Sequence, residues 1–250
     1  MKKNSNKNNI YFASDFHLGH LEQHNSLKRE KLVIKWLDFI KSDAKKIYLL
    51  GDIFDFWFEY KKVVPKGNIR FLAKLAEIIN NGTEVHIYVG NHDLWMKDYL
   101  EHEIGVKIHH KSKIVKADGL DIFISHGDGL GRGDYFYKFL KKIFTSSISK
   151  FLFYLIHPDL GLSIAHKWSK LSRKKITNKH ISKKNEILYL YSCELQKKHP
   201  IDFYIFGHRH LPLELKIDEK AKYINLGDWI SHFTYAKIKN GKLELMKFKI

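Results

Sequence analysis

The sequence predicts an α/β fold, a sandwich in which buried strands alternate with helices, and three observations point there. Six short apolar, β-branched and aromatic runs stop abruptly at polar residues: IYFASDFHLGH, IYLLGDIFDFW, VHIYVGNHD, DIFISHGDG, DFYIFGHRH and YINLGDW. Runs of four to six apolar residues suit strands buried on both faces. Helical patterns lie between several of these runs, which argues for crossover connections. The tail, FTYAKIKNGKLELMKFKI, alternates instead, as a half-buried antiparallel hairpin does.

In chain order, IYFASDF is the first strand and LKREKLVIKWLDFIKSD, residues 27 to 43, the first helix. IYLLGD is the second strand. FLAKLAEIINNG carries helical spacing with Gly82 as its stop, and it leads into VHIYVGN. DIFISHGD is the next strand. From about residue 129 to 195 only helical patterns occur, which marks a candidate insertion. DFYIFG and YINLGDW return to strand character, and Asn240-Gly241 suits a tight type I′ turn between the last two strands. With no internal repeat and no Pro/Gly linker, residues 1–250 are expected to form one domain carrying a helical insertion at about 129–195.

The insertion holds the most aromatic stretch of the chain, FYKFLKKIFTSSISKFLFYLI, residues 136 to 156. A membrane span needs about 20 nearly uncharged apolar residues, and Lys138, Lys141, Lys142 and Lys150 interrupt this one. Its apolar positions follow three-and-four spacing, so it is expected to form an amphipathic helix, or two helices broken near Thr145, Ser146 and Ser147. Of Tyr135, Tyr137, Tyr154 and Trp168, most are read as ordinary core aromatics, the alternative being that they line an apolar groove.

The formal charge of +17 raises nucleic acid and anionic membranes as partners. Yet 39 of the 44 basic residues are lysine, and arginine is the better bidentate phosphate ligand, so compositional drift explains the excess as well as a basic surface does. The single cysteine, Cys193, has no zinc or thiol motif around it and reads as a buried, inert thiol. No long apolar run precedes Ser14, so no secretory signal is expected and the cytoplasm is the expected compartment.

Five of the strand-like runs end in carboxylate, amide or imidazole groups: Asp15-x-His17, Gly51-Asp52, Gly90-Asn91-His92-Asp93, His126-Gly127-Asp128 and Gly207-His208-x-His210. Singly, each has a structural reading: Asp15 and His17 as a turn, Asp52 and Asp55 as a helix cap. Jointly they suit a site, because ligand-binding residues gather beyond the carboxyl ends of strands in an open α/β sheet. Oxygen and nitrogen donors without thiolate suit Mn, Fe, Zn or Mg. The i, i+2 spacing of Asp15 with His17, and of His208 with His210, lets both side chains of an extended segment point the same way. The glycines before Asp52, Asn91 and His208 permit sharp turns at strand ends.

In that order, D-x-H, G-D-x-x-D, G-N-H-D, H-G-D and G-H-x-H resemble the calcineurin-like metallophosphoesterases. The resemblance implies a four-layer sandwich, two mixed β-sheets flanked by helices, and two divalent metal ions, Mn2+ foremost. Asp15, His17, Asp52 and His210 would hold one ion; Asp52 as the bridge, with Asn91, His126 and His208, would hold the other. Two cations about 3.5 to 4 Å apart need such a shared anionic ligand. Asp52 thus counts as catalytic as well as a ligand. His92 would stabilise charge or protonate the leaving oxygen, or else only orient the ligands.

SDFHLGH, GDIFDFW, SHGDGLGRGD with its aromatic helical insertion, and NLGDW more narrowly resemble UDP-2,3-diacylglucosamine diphosphatases of lipid A biosynthesis. That resemblance implies attack by a bridging hydroxide on a lipid-linked sugar nucleotide, giving UMP and 2,3-diacylglucosamine 1-phosphate, under a helical cap that holds the acyl chains. Asn91, His92, Asp134 and His208 would contact substrate; Ser169 and Arg173 would join them unless they lie on a solvated helix face. An anionic membrane surface, peripherally at the inner membrane, is the expected location, with no obligate protein partner. The competing readings are a nuclease or nucleotide phosphodiesterase on the same core, and a non-catalytic scaffold.

Overall fold

The computed structural model describes residues 7–19, 23–133, 135–174 and 186–249. Two mixed sheets face one another. The first has strand order β11-β10-β1-β2-β3-β4, with β1 (Asn9–Ala13), β2 (Ala44–Leu50), β3 (Glu84–Tyr88) and β4 (Lys107–His109) mutually parallel. Its other two strands, β10 (Thr234–Lys239) and β11 (Lys242–Lys247), join antiparallel. The second sheet runs β5 (Lys113–Ala117), β6 (Leu120–Ser125), β7 (Phe203–Phe206), β9 (Lys222–Leu226), β8 (Pro212–Lys216), with β6, β7 and β9 parallel and β5 and β8 antiparallel at the edges.

Alternation along each strand builds the layers. On β1, Ile10 and Phe12 enter the core between the sheets with Tyr48, Leu50, Ile124, Ile205 and Ile224. Tyr11 and Ala13 point the other way, toward α1 (Gln23–Ile40) and α2 (Ile69–Asn80), whose Trp36, Leu37, Phe71, Leu75 and Ile78 share their cluster. Every residue of β1 is therefore buried, as expected of a strand covered on both faces. Behind the second sheet, Phe123, Tyr204, Phe206 and Tyr223 pack with Leu188 and Leu195 of α7 (Ile187–Gln196). The order helix, sheet, sheet, helix is the expected four-layer sandwich. The short α3 (Tyr99–Ile104) adds Leu100 to the first helical layer.

Local signals resolve as read. Asn81 and Gly82 close the last turn of α2 onto the carbonyls of Glu77 and Ile79, with Gly82 at φ 84°. Asn240 and Gly241, at φ 51° and 70°, give the two left-handed residues of a type I′ turn, and Lys239 pairs with Lys242.

Residues 135–174 form α4 (Tyr135–Thr145), α5 (Ser147–Tyr154) and α6 (Pro158–Lys174). The aromatic stretch is thus two helices, broken where Ser146 accepts from the Ser149 amide as the N-cap of α5. No residue of α4 or α5 is fully buried, and no helix among the described residues is long and apolar enough to cross a membrane. Phe153 packs on Phe58 and Trp95, with ring centroids 4.7 Å from each, and Trp95 donates its indole N–H to the Phe144 carbonyl at 2.7 Å. Those contacts seat the helices on the loops after β2 and β3. Phe136, Phe139 and Phe151 face outward, at 73%, 61% and 61% exposure. Tyr135 and Tyr154 are exposed as well, so they are not core; Tyr137 is half-buried, the Trp168 side chain lies outside the described residues, and Cys193 on α7 is half-buried rather than buried.

Candidate metal centre

Six parallel strands, β1, β2 and β3 of one sheet and β6, β7 and β9 of the other, deliver their carboxyl ends to one place. Asp15, Asp52, Asn91, His126, His208 and Asp228 each lie within three residues of such an end. Backbone bonds tie the loops together: Asp15 N to Gly51 O, His17 N to Asp52 O and Gly207 N to His126 O, at 2.9 to 3.1 Å. Across the sheets, His208 N donates to Asp15 Oδ2 at 3.0 Å.

The backbone there is not extended. Asp15, His17, Asp52, His208 and His210 all have φ between 46° and 67°, five of the nine non-glycine residues so placed among those described. Left-handed backbone at a β-carbon-bearing residue is strained and persists where the surroundings over-determine it, which is where functional sites cluster. The i, i+2 pairs therefore converge through left-handed turns rather than through pleating. Of the three glycines read as turn formers, only Gly51 has positive φ, 81°. Gly90 and Gly207 serve close approach instead: a Cβ on Gly207 would meet Asp15 Oδ2 at 2.6 Å, and one on Gly90 would overlap the Asp52 carboxylate.

Asp15, His17, Asp52 and His210 bring one ligand atom each within 4.8 Å of one another, and so do Asp52, His126 and His208. In the first group, His210 Nε2 is 3.2 Å from both His17 Nε2 and Asp15 Oδ1. In the second, Asn91 Oδ1 is 3.2 Å from His126 Nε2 and 3.0 Å from His208 Nδ1. Asp52 Oδ2 joins the two, 3.7 Å from His17 Nε2 and 3.4 Å from His126 Nε2. Ligands about 2.1 Å from a cation at right angles stand about 3 Å apart, so these separations fit donors arranged around ions. Asp15 Oδ1 is buried and accepts no hydrogen bond. A buried carboxylate oxygen without a hydrogen bond is costly, and with the His210 and His17 ring nitrogens 3.2 and 3.9 Å away it is one of a set of donors that a cation would satisfy.

Neighbouring groups aim the ring nitrogens. His126 Nδ1 lies 2.8 Å from the Leu50 carbonyl; a carbonyl only accepts, so Nδ1 carries the proton and Nε2 turns to Asp52. His92 Nδ1 is fixed as a donor in the same way by the Asp55 carbonyl at 3.0 Å. His210 Nδ1 faces Asp228 Oδ2 at 3.4 Å, and Asp228 itself accepts from the amides of Ile230, Ser231 and His232. His17 Nδ1 faces Asp55 Oδ1 at 3.5 Å. Asp93 stitches two loops, accepting from Gly90 N at 2.7 Å and Ile53 N at 2.8 Å. The motifs contain Asp55, Asp93 and Asp228, but the sequence suggests only a helix cap for Asp55 and no role for the other two. Carboxylate partners of ligand histidines are a recurrent support of metal sites, and the D-x-x-D and L-G-D spacings were the available signals.

Burial holds the His17 and His208 imidazoles down to about 3, the neutral form a ligand requires. Burial opposes protonation of His126 too, but the Asp52 carboxylate outweighs it and raises that ring to about 10. Burial also pushes the Asp93 carboxyl up, to about 6, with the Asp52 charge adding to it.

His92 sits at the edge of the cluster, its ring 4.7 Å from that of His17 and its amide donating to Asp52 Oδ1 at 2.9 Å. Asp128, buried two residues after His126, fastens α4: it accepts from Tyr137 Oη at 2.5 Å and pairs with Lys141 Nζ at 2.6 Å. Asp134 lies outside the described residues, as do the side chains of Ser169 and Arg173 on α6.

Residues 9–212 match the family described as calcineurin-like phosphoesterase. Among curated proteins, the chain is 36% identical to a UDP-2,3-diacylglucosamine hydrolase of Porphyromonas gingivalis, over 92% of this chain and 94% of that one. A UDP-2,3-diacylglucosamine hydrolase of Wigglesworthia glossinidia brevipalpis is 30% identical, over 95% of this chain and 93% of its own. Among solved structures, Vps29 of Chaetomium thermophilum is similar with a TM-score of 0.44 and 12% identity, over 96% of this chain and 86% of that one. From the matched span and from relatives that share nearly its whole length, this chain belongs to the calcineurin-like phosphoesterase family.

Proposed function

We propose that this chain hydrolyses the pyrophosphate bond of UDP-2,3-diacylglucosamine to UMP and 2,3-diacylglucosamine 1-phosphate. The observation that carries this reading is the extent of the likeness to a hydrolase of that name, 36% identity over 92% of the chain. In this reading Asp15, His17, Asp52 and His210 hold one divalent ion, and Asp52, Asn91, His126 and His208 the other, with Mn2+ as the ion of choice. Bound there, the ions would acidify a water and neutralise phosphoryl oxygens.

The chain's own groups do the rest. Asp52 is the shared anionic ligand, supported by its two separations of 3.7 and 3.4 Å. Asn91 and His208 orient a phosphoryl oxygen at the second position. His92, with Nδ1 donating to the Asp55 carbonyl, would as the imidazolium use its Nε2–H to stabilise charge or to protonate the leaving oxygen, or else it only orients the ligands. Asp134, Ser169 and Arg173 are the further proposed substrate contacts.

The helices α4 to α6 act as the cap of a single domain. A diacyl substrate stays in a bilayer unless a protein surface replaces it, at about 0.8 kcal/mol per methylene. Exposed Phe136, Phe139, Phe151 and Leu152 beside Lys142 and Lys150 supply an apolar, cationic face. That face supports peripheral association with an anionic membrane, the inner membrane on its cytoplasmic side, where each lysine contributes about 1 kcal/mol.

The test is product release from a substrate panel with and without Mn2+. UMP from the diacylated sugar nucleotide, dependent on metal, is expected. Hydrolysis of DNA or simple phosphodiesters without UMP release would overturn the assignment in favour of a nuclease or phosphodiesterase, and no turnover of any substrate would favour a scaffold.

A further inference from the structure

Arg209 stands in the chain between His208 and His210, one residue from each of two candidate ligands, and only five of the 44 basic residues are arginine. The loop is strained on both sides of it, with His208 at φ 67° and His210 at φ 53°, so its shape must be held from outside itself. The guanidinium, carried in the chain between two candidate ligands, also has the same sign of charge as the ions the site would gather. The structure answers both problems with one residue. Arg209 Nε lies 3.3 Å from each carboxylate oxygen of Glu186. Glu186 is fully buried, whereas the Arg209 side chain keeps 27% exposure.

Glu186 is the N-cap of α7, its carboxylate accepting from the Leu188 amide at 3.4 Å and from Tyr223 Oη at 3.5 Å. Capping alone does not call for a glutamate, since Ser, Asp and Asn serve better, and a carboxylate is almost never fully buried unless paired. The pair links α7, strand β9 through Tyr223, and the ligand loop after β7.

We propose that Glu186 and Arg209 are a positioning pair for the metal centre: Glu186 holds the guanidinium in place and cancels its charge, so that His208 and His210 present their nitrogens to two cations. This rests on the metal-centre reading above. Neither residue touches reacting atoms; both act through the flanking ligands.

The experiment is Mn2+ binding to the full-length protein by calorimetry, with thermal melting to check folding. Glu186→Gln keeps the shape and the cap but leaves Arg209 uncompensated, and it should bind Mn2+ about 10- to 100-fold more weakly, the range for losing support around a ligand. Adding Arg209→Gln removes the stranded charge but not the lost support of the loop, so the double variant should bind Mn2+ about threefold or more tighter than Glu186→Gln while staying weaker than wild type, a coupling that independent sites do not show. A purely structural role predicts the opposite order, with the double variant at least as weak as the single. Wild-type affinity in Glu186→Gln, or no recovery in the double variant, overturns the pair. Should Glu186→Gln not fold, Arg209→Lys carries the test. It keeps the charge and loses the planar fork, and unchanged Mn2+ affinity there overturns the proposal too. Wild-type protein that takes up no Mn2+ would sink the metal centre itself and the pair with it, an outcome distinct from a change confined to the variants.

Discussion

Replacing Phe153 with alanine should release α4 and α5 from the core while leaving the metal cluster intact. The ring sits 4.7 Å from both Phe58 and Trp95, 5.8 Å from Phe56 and 6.5 Å from Tyr60. A fully buried phenylalanine costs about 3–5 kcal/mol to truncate, but Phe153 is half-buried. Half of the usual burial gain is about 1–1.5 kcal/mol, and two close ring pairs at about 0.5–1 kcal/mol each bring the loss to about 2–3.5 kcal/mol. At 1.4 kcal/mol per decade, the undocked population should rise about 30- to 300-fold. Hydrogen exchange of residues 135–154, read by mass spectrometry, measures that directly. Exchange should accelerate in α4 and α5 and stay unchanged in β1, β2 and β7, with Mn2+ affinity as in wild type. Protection of α4 and α5 equal to wild type would refute the idea that this aromatic contact seats the cap.

Three further outcomes follow from the geometry. Asp52 holds the His126 imidazole protonated to about 10, and an imidazolium cannot ligate, so metal uptake must expel its proton. Mn2+ affinity should therefore climb about tenfold per pH unit between pH 6 and 8, and calorimetry in buffers of different ionisation enthalpy that finds no released proton would contradict this. Gly241→Ala, at φ 70°, should cost about 1 kcal/mol, lowering the melting temperature by about 2–4 °C with turnover unchanged. Phe151→Asp combined with Leu152→Asp should weaken binding to anionic vesicles by about tenfold or more, from the apolar burial lost. Sedimentation with vesicles checks it, and undiminished binding would remove α5 from the proposed membrane face.

The strands that bear the site were legible because each is apolar on both faces and stops abruptly at Asp, Asn or His. The edge strands β4, β5 and β8 were not. Each is mostly exposed or half-buried, and sequences such as KIVKA or PLELK carry too little alternation to separate them from loop. Helix α7 showed only helical spacing, like the segment before it. That Leu188 and Leu195 pack on the second sheet is a long-range fact that spacing cannot carry. At the site, residue types at strand ends were sufficient to assemble Asp15, Asp52, His126 and His208. The supports were hidden because Asp228 meets His210 and Asp55 meets His17 through space. The left-handed backbone of five site residues was hidden as well, since aspartate and histidine do not announce it as glycine does.

The most direct test of Asp52 as a carboxylate shared by two cations is UMP release by Asp52→Ala at saturating Mn2+, with metal content determined on the same sample. Wild type should carry two ions per chain and release UMP. The variant should carry fewer, and its turnover should fall at least about a thousandfold, about 4 kcal/mol of lost transition-state stabilisation. A folded Asp52→Ala protein that keeps most of the wild-type turnover would contradict the account.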